Sequence, residues 1–190
     1  MSISATIWNN LLDQIDRRGW AWMCAGRDDG AVSGEVFPAY CYTIGLAEQG
    51  LPELIIVGPD MRMGYEPHIG LDPHVAIEAA DGIIRRALAD NKAAASSPFT
   101  MNTVLHDVFK GTRAMLVHVP TDQANHRALF ALDYAVATST SLQAIQLLWP
   151  DRDGRLPFED GVTLAFAENQ PVLKYLPPPH PEPAELPVMQ

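Results

Sequence analysis

Two apolar, strand-like runs, each stopped by a tight Gly/Pro turn that carries carboxylates, constrain this chain more than any other feature. The first is Tyr42-Thr43-Ile44-Gly45-Leu46, followed by Pro52-Glu53-Leu54. The second, about a hundred residues on, is Gln146-Leu147-Leu148-Trp149-Pro150-Asp151, then Gly154 and Pro157-Phe158-Glu159. Short apolar runs bounded by such breakers fit buried strands, because a helix of similar apolarity needs about ten residues or more. Pro150 ends the second run, since proline disfavours helical backbone in the residue before it.

Between these runs the hydrophobic period switches repeatedly. Ile3, Ile7, Trp8, Leu11, Leu12 and Ile15 recur at helical spacing, with Ser2 or Ser4 as cap and Arg17-Arg18-Gly19 as the end. Trp20 to Ala25 reads as a strand, Gly26 to Gly34 as a flexible connection, and Val36 to Leu46 and Leu54 to Val57 as two further strands. Asp72-Pro73 supplies an N-cap and a first-turn proline for a helix that runs to about Asp90 across Gly82. Thr100 to Phe109 and Arg113 to Val119 form a predicted hairpin about Lys110-Gly111-Thr112. A third helix is expected from about Asp122 to Ala137, and a strand over Leu142 to Trp149.

Strands that come both in adjacent pairs and separated by helices indicate an α+β fold. The expectation is a single domain over residues 1–174, with a mixed, mostly antiparallel sheet and about three helices packed on it. Residues 175–190, with their Pro-Pro-Pro-His-Pro-Glu-Pro run, read as an extended tail, solvated or serving as a PxxP-type docking arm.

A net charge of −10 and a pI near 4.9 repel phosphate backbones, so nucleic acid is excluded as an expected partner. No stretch reaches the roughly 18 apolar residues of a membrane span, and no basic-then-apolar leader opens the chain. Cys24 and Cys41, too few for a stapled secreted scaffold, sit on apolar strand-like segments and are expected to be buried reduced thiols. A soluble cytoplasmic protein is therefore expected.

The chemical motifs that name reactions are missing: phosphate loop, dinucleotide fingerprint, His-Glu-x-x-His, paired Cys-x-x-Cys and nucleophile elbow. Asp151-x-Asp153-Gly154 fails as a calcium loop, because Arg155 and Leu156 replace a ligand and the required Gly, and it reads as a β-turn. His68 and His74 flank Asp72, with Met61 and Met63 upstream; imidazole and carboxylate suit zinc or iron, and thioethers suit Cu(I). The spacing does not make these residues converge, so no metal site is assigned. His106 and His118 lie on the two arms of the hairpin, where they either face each other or simply alternate.

The candidate ligand-binding set comes from the two turn segments. Tyr42 and Thr43 offer hydroxyls, Glu53 a carboxylate, and Gly45 within a strand marks a bulge or the close approach of a ligand. Trp149 and Phe158 suggest a pocket wall, with Gln146, Asp151 and Glu159 as polar fixtures. The plainer alternative makes both segments core strands with surface turns.

At these residues the chain resembles a bacterial family described as domain of unknown function 4262, across most of residues 15–173. The resemblance rests on Gly19-Trp20, Tyr42-Thr43-Ile44-Gly45-Leu46, Pro52-Glu53-Leu54, Gln146…Trp149-Pro150-Asp151…Gly154…Pro157 and Gln170-Pro171. It departs from the family pattern at Leu51, where relatives often carry His, and at Phe158, where they commonly carry Trp. The resemblance implies a small cytoplasmic bacterial domain and supplies neither reaction nor cofactor.

The leading expectation is a domain that binds a small ligand or a protein partner in a cleft between Tyr42–Glu53 and Trp149–Glu159. A second is a flavin-dependent oxidoreductase of split-barrel type, binding FMN with Arg113 or Lys110 on its phosphate; a third is an interaction subunit of a complex. A second copy of the chain, forming a homodimer, counts among the candidate partners.

Overall fold

In the computed structural model, which describes residues 5–29, 36–58, 73–93, 104–109 and 112–177, the alternating runs pair into one six-stranded sheet. Its strands are β1 (Ala21–Ala25), β4 (Tyr40–Ile44), β5 (Glu53–Val57), β6 (Val104–Phe109), β7 (Thr112–Val119) and β8 (Ala144–Leu148). The order is β1-β4-β5-β8-β7-β6. All neighbours are antiparallel except β5 and β8, which run parallel with Glu53 opposite Ala144 and Ile55 opposite Gln146. Two short strands, β2 (Asp28–Asp29) and β3 (Val36–Phe37), form a separate ribbon where the sequence suggests only a flexible connection. The Val36–Leu46 run thus splits into two strands, interrupted around Pro38, which has no N–H to donate to a ladder.

The fold is α+β with a mixed, mostly antiparallel sheet. α1 (Ala5–Arg18) and α2 (Pro73–Ala93) form over the expected residues. The expected third helix is two, α3 (Thr121–Arg127) and α4 (Leu129–Ala137), broken at Ala128 with φ −107° and ψ 52°. Alanine does not itself break a helix, so tertiary bonding explains the interruption. Two backbone groups that a continuous helix would pair internally are taken up by β4: Tyr40 Oη donates to Arg127 O at 3.0 Å, and Phe130 N–H donates to Tyr42 Oη at 3.4 Å. A fifth helix, α5 (Leu164–Asn169), is capped by Thr163, whose hydroxyl accepts from Phe166 N–H.

Helices cover both faces. On one, α2 presents Ala80, Ile83, Ile84 and Ala87 to Leu54, Ile56, Leu116, Ile145 and Leu147. On the other, α1, α3 and α4 cover Tyr42, Ile44, Ile55, Val57 and Val119. The central pair β5 and β8 is buried along every residue, as parallel strands sandwiched by helices are. Each fully buried Leu or Ile there contributes about 1.5–3 kcal/mol from removal of apolar surface.

Several expectations are overturned. Cys24 and Cys41 are directly opposite on β1 and β4 and form a disulfide rather than two reduced thiols. His118 sits opposite Ile145 of β8, while β6 pairs Val104 and Leu105 with Met115 and Ala114, so the two hairpin histidines lie at different levels. Among the described residues the sheet is open, with β1 and β6 as its edges. No helix among the described residues is long and apolar enough to cross a membrane. Ser2, Ser4, Met61, Met63, His68, Asp72, Lys110, Gly111 and residues 178–190 lie outside the described residues. His74 falls in the first turn of α2.

Candidate functional site

The first segment closes on a buried carboxylate. After β4 the chain turns at Gly45 (φ +106°) into a 3₁₀ turn over Leu46–Gln49, which ends at Gly50 (φ +73°). Glu53 opens β5 and its side chain reaches back into that turn. Oε1 accepts N–H bonds from Gly45 (2.9 Å) and Ala47 (3.3 Å), and Oε2 accepts the Thr43 hydroxyl at 2.6 Å. Thr43 Oγ1 in turn accepts from Leu54 N–H at 2.8 Å. Burial pushes the Glu53 carboxyl up to about 6, against the opposing pull of Thr43 and the turn N–H groups. A carboxyl titrating near neutrality suits acid–base chemistry. Here, however, it is 1% exposed and both oxygens are occupied, so it locks the turn. The close approach at Gly45 is likewise internal: an added Cβ would lie 3.2 Å from Gly19 O.

The second segment closes on amides. Trp149 is buried edge-on against Phe166, with ring centroids 4.9 Å apart, and its Nε1 donates to Val57 O at 3.0 Å. Gln170 mimics a strand: its Oε1 accepts from Trp149 N–H at 2.8 Å and its Nε2 donates to Trp149 O at 3.0 Å. Gln146 does the same one step away, donating to Pro171 O and accepting from Leu173 N–H, each at 2.8 Å. Both glutamines have no exposed surface. Asp151 organises the β-turn after Pro150: Gly154 N–H donates to Asp151 O at 3.0 Å, and Asp151 Oδ1 accepts from the N–H groups of Arg155 and Asp153. The Arg155 N–H and then its guanidinium hold the Asp151 carboxyl below the usual carboxylate range. Glu159 accepts from Leu156 N–H and pairs with Arg113, which also donates to Gly154 O.

The two turns lie at opposite ends of the β5–β8 pair. Because β5 and β8 are parallel, Glu53 lies at the start of one strand while Trp149 meets its far end at Val57. Four residues of strand separate them, about 13 Å at roughly 3.3 Å per residue. Thr43, Gly45 and Glu53 are brought together, as are Trp149, Asp151 and Glu159 around their own turn. Tyr42 and Gln146 lie along the strands between. Phe158 is half exposed and does not wall Trp149, whose aromatic neighbour is Phe166. Arg113, wanted for a flavin phosphate, is already bound to Glu159 and Gly154. Every buried side-chain nitrogen and oxygen among the described residues has a partner.

Residues outside the expected set carry other polar contacts. Trp20 and Trp22 Nε1 both donate to Asp81 Oδ1 at 3.0 Å, tying edge strand β1 to α2. Their i, i+2 spacing marks one face of a strand, but Asp81 lies some sixty residues away and no local signal identifies it. On the opposite face, Trp8 of α1 stacks on Phe130 of α4 at 6.0 Å and tilts against Tyr134, whose hydroxyl donates to Glu48 at 2.6 Å. Burial, then Glu48, raises the Tyr134 hydroxyl above its ordinary value, and Asp16 adds to the shift.

The outer side of α4 leaves large apolar side chains exposed. Asp133 is the helix's only charged residue, and on either side of it Leu129 is 57% and Val136 71% exposed, two turns apart on one side of the helix. On α1, Ile7 is also exposed. Asp133, Asp16 and Glu48 are exposed on or beside these helices.

A family model described as "Domain of unknown function (DUF4262)" matches residues 68–163, half of the chain. The match takes in α2 to the Trp149–Glu159 turn and leaves the Tyr42–Glu53 segment outside. No curated protein matches the chain, and no solved structure does.

Proposed function

The chain belongs to the DUF4262 family, and from that premise we propose that it is a recognition domain that binds a protein partner on the α1–α4 face. One observation carries the reading: α4 exposes Leu129 and Val136 around a single charge while its other side is buried. A helix apolar nearly all round is one that expects cover on every side. The occupant is inferred from charge. Asp133 lies between Leu129 and Val136 on the same side of α4, Asp16 and Glu48 are exposed near Tyr134, and the chain as a whole carries −10. A second copy, docked by a two-fold axis, would set these carboxylates against their own copies. A basic amphipathic segment of another protein meets both the apolar side chains and the carboxylates. The polar groups of both turn segments are consumed internally, which supports binding over catalysis.

The test is titration with a synthetic helical Leu/Lys peptide, followed by amide shifts. Shifts confined to α1 and α4, weakening with salt, are expected. The exposed pair Leu129→Lys and Val136→Lys should weaken binding by about tenfold or more while leaving the circular dichroism unchanged. Unaltered binding by that variant overturns the reading. So does a wild-type dimer that the same substitutions dissociate, which assigns the face to a second copy.

A further inference from the structure

Cys24 and Cys41 occupy directly opposite positions of the antiparallel β1–β4 ladder, with Cα atoms 4.0 Å apart. That spacing is the close one of a non-hydrogen-bonded pair, where facing side chains approach most nearly. The ladder continues on both sides of the bond, from Ala21 opposite Ile44 to Ala25 opposite Tyr40. Backbone pairing therefore holds the two sulfurs together, and opening the bond leaves them neighbours. The two ends differ in access. Cys41 has no exposed surface, whereas Cys24 is half-buried on β1, which among the described residues has a strand on one side only.

We propose that Cys24–Cys41 is a reversible dithiol–disulfide couple, a redox-exchange site entered through Cys24. A thiolate of an external dithiol attacks Sγ of Cys24; the new S–S bond forms as the Cys24–Cys41 bond breaks, and Cys41 leaves as a thiolate that takes a proton from water. The reductant's second thiol, deprotonated, attacks the mixed disulfide and expels Cys24, which is protonated in turn. The reductant ends as its own disulfide, having supplied two electrons. A low-molecular-weight disulfide such as oxidised glutathione runs the sequence backwards.

The inference is independent of the α1–α4 reading and is tested on the whole 190-residue chain in its native state. The protein is equilibrated in dithiothreitol or glutathione redox buffers, then alkylated and weighed. One two-electron transition is expected, reversible, with the native circular dichroism retained on both sides of it. The variant Cys41→Ser, which leaves the accessible thiol, should form a mixed disulfide with glutathione, and Cys24→Ser should react about tenfold more slowly or less. Resistance to dithiothreitol until the protein unfolds would make the bond a structural staple and overturn the proposal. Two free thiols that oxidised glutathione fails to join overturn it equally. Equal reactivity of the two single variants removes Cys24 as the point of entry.

Discussion

The two ends of the β5–β8 pair solve the same problem with different chemistry. At one end Glu53 gathers the N–H groups of Gly45 and Ala47 and the Thr43 hydroxyl onto a buried carboxylate. At the other, Gln146 and Gln170 bind the returning chain with neutral amides, each acting as donor and acceptor. An amide matches a backbone edge and carries no charge into the core. A carboxylate matches a cluster of donors at a tight turn but must be desolvated. The amide bonds are therefore indifferent to pH, and the buried carboxylate is not.

The largest effect belongs to the amide end, because packing is added to hydrogen bonding there. Trp149→Ala removes a buried ring against Phe166 together with its bond to Val57 O, and should cost about 3–5 kcal/mol. Urea denaturation with an unchanged m-value checks it. A loss below about 1 kcal/mol would show that the end is held by its amides alone.

Next come the amides themselves. Gln170→Ala strands the N–H and C=O of Trp149, and Gln146→Ala strands Pro171 O and Leu173 N–H. Each should cost about 2–4 kcal/mol, since a buried group without a partner loses about 1–3 kcal/mol. Both fix the same returning segment, so the double variant should lose less than the sum by about 0.5 kcal/mol or more in a thermodynamic cycle. Strict additivity would mean that the two amides act separately.

The carboxylate end is distinguished by pH. The Glu53 carboxyl is raised from 4.5 to about 6, so between these values the folded state keeps a proton that the unfolded state has released. Its contribution is fully present below 4.5 and is lost as pH rises through 6, a fall of about 2 kcal/mol at roughly 1.4 kcal/mol per unit. Glu53→Gln should flatten that part of the stability profile relative to wild type, while Gln170→Glu should introduce a similar slope. A Glu53→Gln profile parallel to wild type would assign the slope to other groups and dissolve the contrast.

What could be read from the sequence follows the reach of each interaction. Strand and helix runs came through because their signal is local: α1, α2, β5 and β8 form within a few residues of expectation. The helix break at Ala128 did not, because Tyr40 and Tyr42 cause it from nearly ninety residues away. The amide strap is visible only as Gln146 and Gln170-Pro171; nothing local says that Gln170 completes the backbone of Trp149 and Gln146 that of Pro171 and Leu173. The separation of the two turns rests on a single non-local fact, the parallel pairing of β5 with β8, which sends them to opposite ends. The disulfide is not legible in the sequence for the same reason, since only the register sets Cys24 against Cys41.

Tyr42 gives the smallest effect and the sharpest check on the first segment. Its hydroxyl is not part of the Glu53 turn; it accepts from Phe130 N–H at the α3–α4 break, at the long distance of 3.4 Å. Burial raises that hydroxyl well above its ordinary value, so it stays neutral throughout the working pH range. Tyr42→Phe keeps the ring stacked on Tyr40 and removes one weak bond, which should cost about 0.5–1.5 kcal/mol. The cost should not change between pH 4.5 and 6, in contrast to Glu53→Gln. Amide exchange at Phe130 should accelerate in the variant while the Gly45 and Ala47 amides keep their protection. If those two amides exchange faster as well, the Tyr42 strand and the Glu53 turn are one cooperative unit, and the contrast between the two ends of the sheet extends to the helices above it.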